Sequence, residues 1–220
     1  MNTLEALQSL QRALDEWEMV LEPSIGLGTL DELRVLTGAN QTETERRVRN
    51  DIVQGEGQRL EFKQSLALDV DKHLKGGVEI AKCYSDEVLL SALKTVAGFM
   101  NTLGGVLLIG VDDDGEPVSI LREFPIVCPK GNESCDGWEL AFRGKVEQFF
   151  LEGGSLQAYI EINFGVIDGH QIARLTIGPR SRLTFMTVGG QERLYLRVGN
   201  RTQNIRLSQI EDYLQVSRAS

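Results

Sequence analysis

The hydrophobic pattern of this chain is sharpest between residues 85 and 115. Ser85-Asp86-Glu87 opens a predicted helix that runs to Leu103, and its acidic first turn suits the positive end of the helix dipole. Gly104 is placed to cap it, and Gly104-Gly105 separates it from the almost wholly apolar run Val106–Val111. That run predicts the most buried strand of the molecule. Asp114-Gly115 is a tight-turn dipeptide, and Pro117–Leu121 is predicted to return as a hairpin partner.

On either side the periods differ. Leu4, Leu7, Leu10, Leu14, Trp17 and Val20 or Leu21 recur at threes and fours, the stripe of an amphipathic helix over 2–22 that Pro23 and the Gly26–Gly28 stretch end. Thr29-Leu30-Asp31-Glu32 signals a second helix closing near Gly38, and Thr42-Glu43-Thr44-Glu45 a third reaching about Gln54. Leu60-Glu61-Phe62-Lys63 then alternates apolar and charged, as a strand with one wet face does. Residues 64–84, interrupted by Gly76-Gly77, predict a loop with some helix, and residues 124–136 a loop. Trp138–Leu151 predicts a helix ended by Gly153-Gly154. Strands are predicted near 156–164, 170–177, 183–187 and 193–198, and a last helix over Ser208–Val216. The layout is α+β, a mainly antiparallel sheet flanked by helices with an N-terminal all-helical segment. The expected divisions are a helical arm at 1–54, a body at 55–206 and a helix with tail at 207–220. The arm either packs on its own body or serves as a docking or dimerisation element.

Composition narrows the class. An apolar fraction of 41% supports a real core, and no run of 18 apolar residues exists to span a membrane. The first residues lack the basic and apolar regions of a secretory signal, and three cysteines do not suggest a disulfide framework, so a reduced, cytoplasmic protein is expected. The net charge of -9 is unevenly spread: residues 178–220 hold seven bases, all Arg, against three acids. Arg forks suit phosphate recognition, and an ordinary charged surface is the competing reading.

Three carboxylates stand out. Glu56 precedes the first strand, Glu61 lies within it, and Asp112 ends the central strand. Five extended residues span up to about 17 Å, so Glu56 and Glu61 meet only if the chain bends at Gly57. If strand 60–63 lies beside 106–111, all three could converge at one sheet end and hold a hard cation such as Mg²⁺ or Mn²⁺. Lys63 shares the strand face of Glu61, as in nuclease strands where a lysine polarises the attacking water. The alternative is three solvated strand ends. Tyr195, Arg197, Arg201 and Arg206 either face a nucleic acid or divide into core and solvated rim. No P-loop motif exists, so no ATP site is expected. Cys83, Cys128, Cys135, His73 and His170 contain no C-x2-C pair, so zinc is not expected.

The segments Glu56-x4-Glu61-Phe62-Lys63-x-Ser65, Ala97–Gly105 and Leu107–Gly115, with the late Leu194–Thr202, resemble the Schlafen AlbA-type domain, formerly called "divergent AAA". The resemblance covers roughly residues 54–205. It implies an α+β nucleic-acid-binding fold. By the pattern of its nuclease members, it implies a metal-dependent endoribonuclease site acting on tRNA and rRNA. Glu56 and Glu61 match the two glutamates, Asp112 the aspartate with Asp113 as fallback, and Lys63 the following lysine. Many bacterial members are described only as DNA-binding or regulatory. The segment after Ser65 is longer than usual, and Schlafen proteins build their cleft from two lobes where this chain has one, so a comparable cleft implies a homodimer. A defence role follows by analogy alone.

Overall fold

The computed structural model describes residues 42–206, 208–210 and 213. Helix α1 (Glu43–Gln54) turns into strand β1 (Leu60–Lys63), followed by the short helix α2 (Val70–Leu74) and a 3-10 turn at Ile80–Lys82. Helix α3 (Asp86–Met100) leads to β2 (Gly105–Ile109), and a 3-10 turn at Leu121–Glu123 runs into α4 (Phe124–Val127). Helices α5 (Cys135–Phe149) and α6 (Gly153–Leu156) precede β3 (Ile160–Ile167), β4 (His170–Ile177), β5 (Phe185–Val188), β6 (Gln191–Val198) and β7 (Arg201–Ile205). The chain divides into two compact units, Met1–Glu43 and Thr44–Ser220. The helices expected over 2–22 and 29–38 lie outside the described residues, as does most of Ser208–Val216, where 208–210 and 213 are helical.

The strands form two sheets, ordered β1-β2-β4-β3 and β5-β6-β7. β1 pairs β2 in parallel, with Leu60 opposite Val106 and Lys63 opposite Ile109, and every other pairing between strands is antiparallel. The α+β, mainly antiparallel layout is therefore present, with strands 60–63 and 105–109 side by side as the metal argument required. Division into two sheets is the addition, because alternation fixes which face of a strand is apolar but not which neighbour it joins.

Helix α3 separates the sheets. Leu89, Leu93, Val96 and Met100 join Leu107, Ile109, Leu175 and Ile177 of the first sheet in the main core, together with Trp138, Phe142 and Val146 of α5. Met186 and Tyr195 of the second sheet join the same core. Gly98 explains how close the helix and second sheet come: a Cβ there would lie 3.2 Å from the Thr202 methyl and 3.4 Å from Arg197 N. A second core under the opposite face of the first sheet packs Val48 and Ile52 of α1 on Leu60, Phe62, Leu108 and Ile172.

Local chemistry sets the boundaries. Ser85 Oγ caps α3 by accepting from Val88 N, and the helix ends at Met100, three residues before the sequence expectation. There Gly104, at φ +70°, donates to Phe99 O and closes the last turn. Ser134 accepts from Gly137 N and starts α5 at Cys135, ahead of the expected Trp138. The hairpin expected over Pro117–Leu121 reduces to one bridge, Val111 to Pro117. Val118 and Ser119 both donate to Gly110 O, with Ser119 at φ +71°, so the chain curls instead of forming a ladder. Among the described residues, no helix is long and apolar enough to cross a membrane.

The core also encloses a carboxyl group. Glu123 accepts from Leu66 N at 2.8 Å, Ala67 N at 3.1 Å and Trp138 Nε1 at 2.8 Å, tying the segment after β1 to α5. Burial pushes its pKa up to about 7 despite these donors. The folded state thus holds the proton more tightly than the unfolded chain. The stabilisation from this group is complete below about pH 4.5 and is lost as pH rises through about 7, a difference of about 3 kcal/mol. Urea midpoints measured from pH 5 to 8 are expected to fall in the wild type and to lose most of this slope in Glu123→Gln. A flat wild-type profile would contradict the raised pKa.

Candidate functional site

Strand β1 is an edge strand, and its alternation gives it two chemically different faces. Leu60 and Phe62 point into the α1 core, so Glu61 and Lys63 project from the opposite face, on the side of α3 and the second sheet. The bend at Gly57 that the glutamates required is present. Gly57 N donates to Leu60 O at 2.9 Å, and the Glu56 carboxylate folds back to accept from Phe62 N at 2.8 Å. Glu56 thereby covers an unpaired amide on the open edge.

Glu61 is committed at both oxygens. Oε1 lies 2.5 Å from Lys63 Nζ, and Oε2 lies 2.6 Å from Arg197 Nη2. The same Arg197 nitrogen donates to Gly57 O at 2.6 Å, and the guanidinium lies 5.3 Å from the centroid of the Phe99 ring. The Arg197 side chain is 1% exposed and that of Glu61 12%. This ion pair fastens β6 of the second sheet to β1 of the first.

The arginine therefore serves inside the protein, which corrects its expected place on a phosphate-gripping surface: no phosphate reaches it in this arrangement. Tyr195 is corrected in the same way. It is 7% exposed, belongs to the main core, and carries Lys94 Nζ 5.8 Å from its ring centroid, so no base stacks on it. Burial raises the pKa of its hydroxyl.

Asp112 lies three residues beyond β2, in a turn it organises itself. Its Oδ1 accepts from Asp114 N at 3.0 Å and Glu116 N at 2.8 Å, and Gly115 N donates to Asp112 O. A Cβ on Gly115 would meet Ile52 and Phe62, which places the turn on the α1 side of the sheet, across from Glu61. Asp113 is exposed in the same turn. Three carboxylates are the right donors for a hard cation, but here Glu61 answers two cations and Asp112 its own turn. Among the described residues no three His, Cys, Asp or Glu side chains are placed to hold a metal ion. The arrangement as it stands does not fit one.

Arg201 and Arg206 are exposed, at the start of β7 and just past its end. Arg206 and Arg193 border a depression of about 700 Å³ lined also by Phe185, Leu194 and Ile205. Such a surface offers guanidinium forks beside an apolar floor, a combination suited to phosphates and bases. Sequence reasoning missed two charged residues that organise the body, Glu123 and Arg180. The first has no local signal. The second sits in Gly178-Pro179-Arg180-Ser181-Arg182, where paired arginines beside a glycine and a proline were a visible cue.

A family model described as Schlafen, AlbA_2 matches residues 56–206. Among solved structures, the chain is similar to the DIP2311 protein from Corynebacterium diphtheriae, at 16% identity and a TM-score of 0.46, over 72% of this chain. It spans 24% of that longer chain. No curated protein matches the sequence.

Removing one partner of a buried pair leaves an uncompensated charge and costs about 3–5 kcal/mol. Glu61→Gln, which strands the buried Arg197 guanidinium while Lys63 can turn to solvent, is expected to lower unfolding free energy by that amount, and adding Arg197→Met to restore a large part of it. Urea titration of both variants checks this. An equal loss in the double variant would assign the effect to packing instead of charge.

Proposed function

Because the chain belongs to the Schlafen AlbA_2 family over residues 56–206, a family of nucleic-acid-binding domains, we propose that it binds RNA through the arginine-bearing side of its second sheet. The observation that carries this reading is exposed Arg206, with Arg193, at the rim of an apolar-floored depression, and exposed Arg201 at the other end of β7, on a chain that is otherwise acidic. The acidic remainder disfavours indiscriminate coating of nucleic acid and directs attraction to the arginine-rich late part of the chain. Binding of labelled tRNA is expected to weaken steeply with salt. Arg201→Ala/Arg206→Ala is expected to reduce the slope of log K against log salt by about two, roughly one per lost phosphate contact. No binding at low salt, or an unchanged slope in the double variant, would remove this reading.

A second reading, a metal-dependent endoribonuclease cutting structured RNA such as tRNA, is favoured by one observation. The chain bends at Gly57 so that the Glu56 carboxylate folds back onto Phe62 N of β1, while Lys63 pairs with Glu61 on the same strand. It requires Glu61 to release Arg197 and Lys63. Glu56→Gln is the clean probe, since glutamine keeps the acceptor for Phe62 N while losing the charge. Incubation of tRNA with Mg²⁺ or Mn²⁺ is expected to give cleavage by the wild type and at least about a hundredfold less by Glu56→Gln. Equal cleavage by both, or none by either, would reject the catalytic reading and leave RNA binding standing.

A further inference from the structure

The loop from Gly178 to Arg182 joins the two sheets and is held by its backbone. Gly178 N donates to Tyr159 O and Arg180 N to Met100 O, each at 2.8 Å. From this fixed frame two arginines reach one carboxylate. Arg180 Nη2 lies 2.7 Å from Glu152 Oε2, and Arg182 Nη2 lies 3.5 Å from Glu152 Oε1. Arg180 is 7% exposed, donates through Nη1 to Thr184 Oγ1 at 3.0 Å, and lies 5.4 Å from the centroid of the Tyr159 ring. Its buried Nε has no hydrogen-bond partner. Arg182 is 78% exposed and free to follow a ligand. The arginines and Glu152 line an open depression of about 1020 Å³, with Gly153, Gly154 and Tyr159 in its wall.

This is the geometry of an anion clamp already holding an anion. One guanidinium is fixed by packing and hydrogen bonds, the other is exposed, and each faces a different oxygen of the same carboxylate. The arginines draw the pKa of Glu152 below the usual carboxylate range. Glu152 itself is partly exposed, and an exposed ion pair contributes little net stability, so a stronger acceptor can displace it. A phosphodiester is such an acceptor, and arginine forks match its oxygens. Glu147 also lines the depression, so with Glu152 in place the two positive and two negative charges there balance.

We propose that Arg180 and Arg182 form a phosphate site for the RNA backbone, and that Glu152 is its built-in competitor, swung aside when the RNA binds. The proposal rests on the nucleic-acid reading above and adds a second contact region, distinct from Arg201 and Arg206. Glu152 then sets affinity: it keeps the clamp closed to weak anions and opens it to a strand anchored elsewhere on the protein.

The test uses the full chain, the same labelled tRNA and a salt series, with Glu152→Gln and Arg182→Ala, both exposed positions whose folding is checked by thermal melting. Glu152→Gln is expected to tighten binding at least about threefold, and Arg182→Ala to weaken it and lower the salt slope by about one. Binding by the wild type with both variants unchanged would overturn the clamp and leave the RNA reading intact. No RNA binding by the wild type or by Glu152→Gln would overturn both. Inorganic phosphate at matched phosphate concentration is expected to compete poorly. Complete competition would make the ligand a free anion and overturn the assignment to an RNA backbone.

Discussion

A helix with a sheet on either side has little solvent face, and that constraint governs this molecule. Along α3, Leu89, Ala92, Leu93, Val96, Ala97, Phe99 and Met100 are all fully buried. A helix hydrophobic on most of its circumference gains its stability from tertiary packing instead of from its own propensity. Its end must also be satisfied without water: Thr102 Oγ1 donates to Gly98 O, Gly104 N to Phe99 O and Arg180 N to Met100 O. Asn101, the cap residue, turns its side chain the other way, donating to Thr184 O and Tyr195 O and accepting from Thr184 N. The amide therefore fastens the helix end to the second sheet by three hydrogen bonds, and replacing it by an apolar residue would leave buried backbone groups unpaired.

The charged residues between the layers follow from the same constraint. Arg197 enters the interior because Glu61, Gly57 O and the Phe99 ring meet it there. Its net contribution to stability is modest against an apolar equivalent, but its absence would be costly. What it supplies is orientation: a forked donor aimed at one carboxylate and one carbonyl fixes how β6 lies against β1. Glu61 thus holds the architecture together at the same strand head where the proposed nuclease reading needs a metal ligand, and the two roles would compete for one side chain.

Much of this was legible in the sequence. The run from Ser85 to Ile109 announced α3, its glycine cap and the central strand, because cap residues, buried strands and turn glycines each have local signatures. The bend at Gly57 followed from reach alone. What stayed hidden was non-local. Nothing near Arg197 tells that its partner lies far upstream, so an arginine in an arginine-rich segment reads as surface. Glu123 is buried because Trp138 and two backbone amides surround it, and none of these is its neighbour in sequence. β7 is mostly polar, Arg201-Thr202-Gln203-Asn204-Ile205, and lacks the apolar alternation that identifies a half-buried strand. Asp112 was expected to end the central strand; it lies three residues beyond it, and the curl after Gly110 carries its turn to the other side of the sheet.

The clasp between Glu61 and Arg197 also has a history in time. Leu60 and Arg197, whose backbone and guanidinium meet beside the clasp, are 137 residues apart along the chain. At roughly 5–20 residues per second, a ribosome delivers the arginine on the order of ten seconds after the glutamate. Through that interval the Glu61 face of β1 lacks the cover of the second sheet, and its carboxylate waits for the arginine. Long-range closures of this kind slow folding, so the body is completed late, by its last strands, and a nascent chain stalled before β6 would present that uncovered face to whatever chaperone reaches it first.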